Sequence, residues 1–263
     1  MRKIIIDTDP GQDDALAMMT AFGAKKDLNV LGVTCVAGNV PLDLTSVNAL
    51  KICELSGVFS VPVFRGSPAP LKRKLITAEH VHGKTGLDGT DLLVKKKELE
   101  PTDAVDFIIE CTEKYRDEKI TICALGPLTN IAKVIKQDTV LTESIEEIVL
   151  MGGGFFEGGN ITPAAEFNIY VDPEAAKIVL ESGLKITMLP LDVTHKTLVQ
   201  RNFLEKLRNS GKNSAIQAAK LLDFFERYDV KKYGSEGGPL HDPNVIVYLL
   251  NPCLLYTSDA ADE

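Results

Sequence analysis

Short runs of β-branched and apolar residues alternate along this chain with longer stretches of helical period, and few architectures tolerate that alternation. It is the pattern of an α/β protein: an open, mostly parallel sheet with helices on both faces. Strands are expected over residues 3–7, 29–36, 61–64, 119–124, 147–151 and 185–189. Helices are expected at 13–24, 42–56, 102–115, 128–136, 173–182 and 214–228. With no repeat and no shift of composition along it, the chain reads as one domain over residues 1–252, followed by an atypical tail from 253 to 263. Two connections are unusually long, Gly66 to Gly89 and Gly152 to Pro173, and loops of that length in a compact domain are more often binding segments than idle links. In open parallel sheets the ligand crevice lies beyond the carboxyl ends of the strands. Asp9, Asn39, Leu125 and Met151 each stand at such an end, so they are expected to share one rim.

The first of these ends carries the densest charge. Ile4-Ile5-Ile6 is followed by Asp7-Thr8-Asp9-Pro10-Gly11-Gln12-Asp13-Asp14, a Pro-Gly turn crowded with carboxylates at the entry to a helix. Crowding of this kind is unfavourable without a cation, and an all-oxygen set suits Ca²⁺ or Mg²⁺ rather than zinc. Helix capping is the plain structural alternative, but capping explains one carboxylate, not three. A phosphatase reading of Asp7-x-Asp9, on the pattern of the haloacid dehalogenases, wants Gly-Thr or Gly-Val after the second Asp, where this chain has Pro10-Gly11.

Further along, Asn160, Glu166 and Asn168 present amide and carboxylate oxygens from a glycine-rich segment, the donors and acceptors that vicinal hydroxyls require. Taken alone, that segment is equally well a solvated loop. Asp242 precedes Pro243 and an apolar run, so it either caps a helix or adds a fourth carboxylate to the first three, and local sequence does not separate the two. The glycines at 152–154 fit neither nucleotide-phosphate fingerprint.

A net charge of −8 with no basic block longer than Lys95-Lys96-Lys97 argues against a nucleic-acid partner and leaves small molecules. The five cysteines show no C-x-x-C spacing, and no apolar run approaches a membrane span, so a soluble, cytoplasmic protein without membrane partner is expected.

Read together, Asp7-Thr8-Asp9-Pro10-Gly11-x-Asp13-Asp14-Ala15, Ala37-Gly38-Asn39, Gly126-Pro127-Leu128-Thr129-Asn130, Met151-Gly152-Gly153, Asn160-x5-Glu166-x-Asn168 and Pro239-Leu240-His241-Asp242-Pro243 resemble the inosine–uridine-preferring nucleoside hydrolases. The resemblance implies hydrolysis of the N-glycosidic bond of ribonucleosides with inversion. It implies a Ca²⁺ ion held by Asp9, Asp14, Asp242 and the carbonyl of Leu125. It further implies that Asp13, Asn39, Asn160, Glu166 and Asn168 grip the ribose, that Met151 packs beside it, and that His82 and His241 lie near the base. In that scheme Asp9 is the base and His241 the acid. The absence of any Trp likens the chain to broad-specificity or pyrimidine-preferring members. A dimer or tetramer is implied as well. The end of the chain departs from the family pattern, which suggests truncation and leaves a non-catalytic nucleoside-binding protein as the main alternative, with a metal-dependent phosphatase behind it.

Overall fold

In the computed structural model of the protein, residues 1–137, 144–234 and 237–254 are described. Six strands form one sheet: β1 (Arg2–Thr8), β2 (Leu28–Cys35), β3 (Val63–Arg65), β4 (Ile120–Ala124), β5 (Ile145–Met151) and β6 (Ile186–Leu189). Their order is β3-β2-β1-β4-β5-β6, and every pairing is parallel. All six expected strands are present, shifted by at most two residues at an end.

Period-2 alternation sorts the central strand between two cores. Ile4 and Ile6 pack on one face with α1 (Gln12–Gly23), α2 (Leu42–Leu55) and α11 (Pro243–Leu250), while Ile5 faces α4 (Ala104–Lys114), α5 (Thr129–Gln137) and α7 (Pro173–Leu180). Because β1 sits in the middle, buried on both sides, its three isoleucines are fully buried and the turn after Thr8 emerges at the point where strand order reverses. Doubly wound sheets open a crevice there.

The two long connections are not featureless. The first carries α3 (Glu79–His82), and the second carries α6 (Phe167–Val171). Three further helices complete the chain order: α8 (Leu191–Thr194), α9 (Arg201–Arg208) and α10 (Asn213–Tyr233). The expected helix at 214–228 is the larger part of α10, which ends on Gly234 in the left-handed conformation, φ +65°. Pro252–Leu254 forms a short 3₁₀ turn, and the remainder of the expected tail, 255–263, lies outside the described residues.

Candidate functional site

The turn from β1 into α1 is built so that its acids do different things. Asp14 behaves partly as the cap that capping statistics anticipate: its Oδ2 accepts from the Gly11 amide at 2.9 Å, and its Oδ1 accepts from the Thr8 hydroxyl. Asp9 does not cap. Its Oδ2 accepts from the Asn39 amide at 2.7 Å, while its buried Oδ1 has no hydrogen-bond partner among the described residues. Asn39 closes the corner, its Nδ2 donating to the Asp9 carbonyl at 3.1 Å and to Asp14 Oδ2 at 3.2 Å. Glycine is required at 38 and 126, because a Cβ at either position would collide with the Asp9 carboxylate.

Asp242 settles as the more informative of its two alternatives. It precedes Pro243 at the start of α11, yet its side chain makes no capping hydrogen bond. Instead Asp13, Asp14 and Asp242 bring carboxylate oxygens within 4.8 Å of one another. Asp9, Asp13, Asp14 and Asp242 are all buried, with no Lys or Arg in ion-pair contact among the described residues. Burial pushes all four above the ordinary carboxylate range, and the neighbouring carboxylates push Asp9, Asp13 and Asp242 further, Asp13 up to about 8. Burying such charges is costly unless they are neutralised. The orphaned oxygens of Asp9 and Asp13, in an all-oxygen donor set, fit a hard divalent cation. The clustered set includes Asp13, assigned by resemblance to the ribose, while Asp9 stands beside it and acts electrostatically on Asp242.

Beside the acids opens a cleft that is half open to solvent. It is lined by Asp13, Asn39, His82, Leu125, Met151, Asn160, Glu166, Asn168, His241 and Asp242; Asp9 and Asp14 lie fully buried next to it. The whole expected set thus converges on one rim. Asn168 ties two strand ends together, its Nδ2 donating to the carbonyls of Leu125 at 2.8 Å and Met151 at 3.1 Å. Glu166 caps α6 through the amides of Asn168 and Ile169 and accepts from Gly153 at 3.0 Å. Burial outweighs these bonds and raises its pKa to about 7. Asn160 Oδ1 accepts from the Phe167 amide at 2.9 Å, so the glycine-rich segment is a fixed wall of the cleft.

The opposite wall is imidazole and aromatic. His82 and His241 flank Phe225 of α10, with ring centroids 5.5 and 6.3 Å from it. Both histidines are depressed to about 3, His82 by burial and the charges of His241, His80 and Arg227, His241 by burial and then His195. They are neutral at physiological pH. Thr194 Oγ1 meets His241 Nδ1 at 2.8 Å, and Gln12 meets His82 Nδ1 at 2.8 Å. Gln12, Thr194, Phe225 and Tyr228 are members of the site that the sequence does not announce. Gln12 sits inside the acidic motif, but nothing in the local sequence marks the others, whose partners lie far away along the chain.

Known proteins share both the sequence and this architecture. The model of the inosine-uridine preferring nucleoside hydrolases matches residues 4–261. Pyrimidine-specific ribonucleoside hydrolase RihA of Photobacterium profundum is 48% identical over 252 residues, 95% of this chain and 80% of the relative. Pyrimidine-specific ribonucleoside hydrolase RihB of Escherichia coli is 42% identical over 251 residues, 95% of this chain and 79% of the relative. Among solved structures, a purine-preferring ribonucleoside hydrolase from Gardnerella vaginalis superposes with a TM-score of 0.93 at 32% identity, covering 97% of this chain and 82% of the other. A plant nucleoside hydrolase, the PpNRh1 enzyme, gives 0.92 at 35% identity, covering 97% and 80%. With the match spanning the strand ends that carry the acids, the amides and the histidines, this chain belongs to the inosine-uridine preferring nucleoside hydrolase family, hydrolases of the N-glycosidic bond of ribonucleosides.

Proposed function

We propose that the protein is a Ca²⁺-dependent ribonucleoside N-ribohydrolase that releases free base and ribose with inversion, on a pyrimidine-preferring or broad range of nucleosides. The observation that carries this reading is the group of buried carboxylates, lacking basic partners among the described residues, beside a cleft walled by amides on one side and imidazoles on the other. Asp9, Asp14, Asp242 and the Leu125 carbonyl are the proposed ligands, with Asp13 close enough to share the ion. A calcium ion bound there would supply a water of lowered pKa.

The chain's own groups do the rest. Asp9 Oδ1, with no hydrogen-bond partner among the described residues, takes the proton of the attacking water, which adds to the anomeric carbon on the face opposite the base. Asp13, Asn39, Asn160, Glu166 and Asn168 hold the ribose, with Met151 packed against it, and their oxygens stabilise the positive charge that develops at the ring oxygen and anomeric carbon. His241, neutral at rest, takes up a proton before acting as the acid, passes it to the departing base and returns to its neutral form.

The two RihA and RihB relatives, both named pyrimidine-specific, and the lack of Trp support the proposed base range. Buried free thiols at Cys35, Cys53, Cys111 and Cys123 support a cytoplasmic setting, where the released base would be salvaged. A homo-oligomer, dimer or tetramer, rests on the resemblance alone. Incubation with uridine and inosine in the presence of Ca²⁺, with assay of reducing sugar, tests the reading. Ribose from either nucleoside supports it. Tight nucleoside binding without ribose favours the non-catalytic alternative, and phosphate release from a sugar phosphate the metal-dependent phosphatase.

A further inference from the structure

We infer that Gln12 is a positioning residue that fixes His82 as the Nδ1–H tautomer, so that His82 Nε2 faces the substrate as a hydrogen-bond acceptor. This deepens the proposed function, since it assigns a demand that the base end of the cleft places on its ligand. The Gln12 side chain is fully buried, and its amide can be oriented in only one way. Its Nε2 donates to two carbonyl oxygens, His82 O at 2.9 Å and Asp88 O at 3.2 Å. With the amide reversed, its oxygen would face both carbonyls, acceptor against acceptor.

The other end of the amide is therefore Oε1, which only accepts, and it meets His82 Nδ1 at 2.8 Å. The proton of that hydrogen bond belongs to His82 Nδ1. A neutral imidazole carries a single N–H, so once Nδ1 holds it, Nε2 is a lone pair. Packing supports the same geometry: the ring lies so close to Gly11 that a Cβ there would strike its Nδ1–Cε1 edge, and Phe225 stacks on the ring at 5.5 Å and 30°. Asn48 joins the same turn to the same segment, its Nδ2 donating to Pro10 O at 3.1 Å and Thr85 O at 2.7 Å. The ring is thereby clamped from two sides while it lines the cleft.

The chemical consequence is selective. A base or sugar group that reaches His82 must bring an N–H or O–H; a bare carbonyl or aza nitrogen meets a lone pair. Nucleobases with a ring N–H or exocyclic amine satisfy this, whereas an aryl leaving group such as p-nitrophenolate offers no donor.

Two measurements test it together on the Ca²⁺-loaded full chain. ¹⁵N NMR of the wild-type imidazoles is expected to show His82 Nδ1 protonated and Nε2 of pyridine type; an Nε2–H signature overturns the inference, whatever the variants do. Gln12→Met removes the amide and keeps the bulk. It is expected to lower kcat/KM for uridine, mainly through KM, by about 2- to 10-fold, the worth of one neutral hydrogen bond, with p-nitrophenyl riboside unchanged. Equal loss on both substrates overturns the positioning role and leaves Gln12 merely structural. A wild type that hydrolyses neither substrate defeats the proposed function instead, and the NMR result still decides the tautomer.

Discussion

Replacing Asp13 with asparagine separates a cation site from a decorated helix start by the sign of one stability change. Asp13 lies in the first turn of α1, where an acid ordinarily stabilises the helix dipole by about 0.3–1 kcal/mol. Were that its role, Asp13→Asn would cost up to about 1 kcal/mol. The structure instead buries the carboxyl and places Asp14 beside it, which raises its pKa from 3.8 to about 8. A raised folded pKa gives stability that is complete below 3.8 and is lost as pH climbs toward 8. At neutral pH the metal-free protein has lost about 1.4 kcal/mol for each pH unit above the unfolded value, roughly 4 kcal/mol in all. Part of that would be shared with Asp14 and Asp242, so about 2–4 kcal/mol is the expected gain from Asp13→Asn in chelator at neutral pH, a rise in Tm of roughly 5–10 °C for a domain of this size. With Ca²⁺ the order reverses: wild type gains stability, increasingly so as pH rises and its ligands ionise, while the variant gains less. Calorimetric melting between pH 5 and 8, with chelator and with Ca²⁺, reads both arms. A variant less stable than wild type in chelator, with an unchanged pH slope, would refute the cluster argument.

Other consequences are open to direct assay. His241→Ala is expected to lose about 10²- to 10⁴-fold on uridine and far less on p-nitrophenyl riboside, whose leaving group needs no proton; equal losses would remove the acid role. Gly38→Ala drives a methyl into the Asp9 carboxylate and should cost at least about 10²-fold in kcat, with the melting curve deciding whether the loss is local. Glu147 tests the far end of the sheet. Burial pushes its pKa up, but hydrogen bonds from Thr187, Arg2 and Tyr248, with the charge of Lys185, hold it below the ordinary value. Its stabilisation is present above the unfolded carboxylate pKa and lost as pH falls through the lower folded one, so Glu147→Gln should flatten the acid limb of the stability curve and leave neutral-pH activity intact.

What was legible in the sequence follows from how locally each feature is determined. Ile4-Ile5-Ile6 and its five counterparts are β-branched runs bounded by turn residues, so all six strands could be placed, and sheet order then brings their ends to one rim. The short helices α3, α8 and α9 escape such a reading, because helices of four to eight residues draw their stability from tertiary contacts rather than from their own pattern. In the site, the acids after β1 announce themselves by crowding that no helix cap explains. Asp242 does not: both of its roles begin with Asp before Pro243, and they are separated by the missing capping bond and by its closeness to Asp13 and Asp14 in the fold. Gln12 looks like filler between Gly11 and Asp13, since its partners stand 70 and 76 residues away. Thr194 meets His241 across 47 residues and carries no motif at all.

The most direct test of the central claim is ribose release from uridine as free Ca²⁺ is raised from chelated to saturating, in wild type and in Asp14→Asn. The account predicts negligible turnover in chelator, full turnover restored by Ca²⁺ in the wild type, and no comparable restoration in the variant. Undiminished ribose release from wild type in chelator would contradict it.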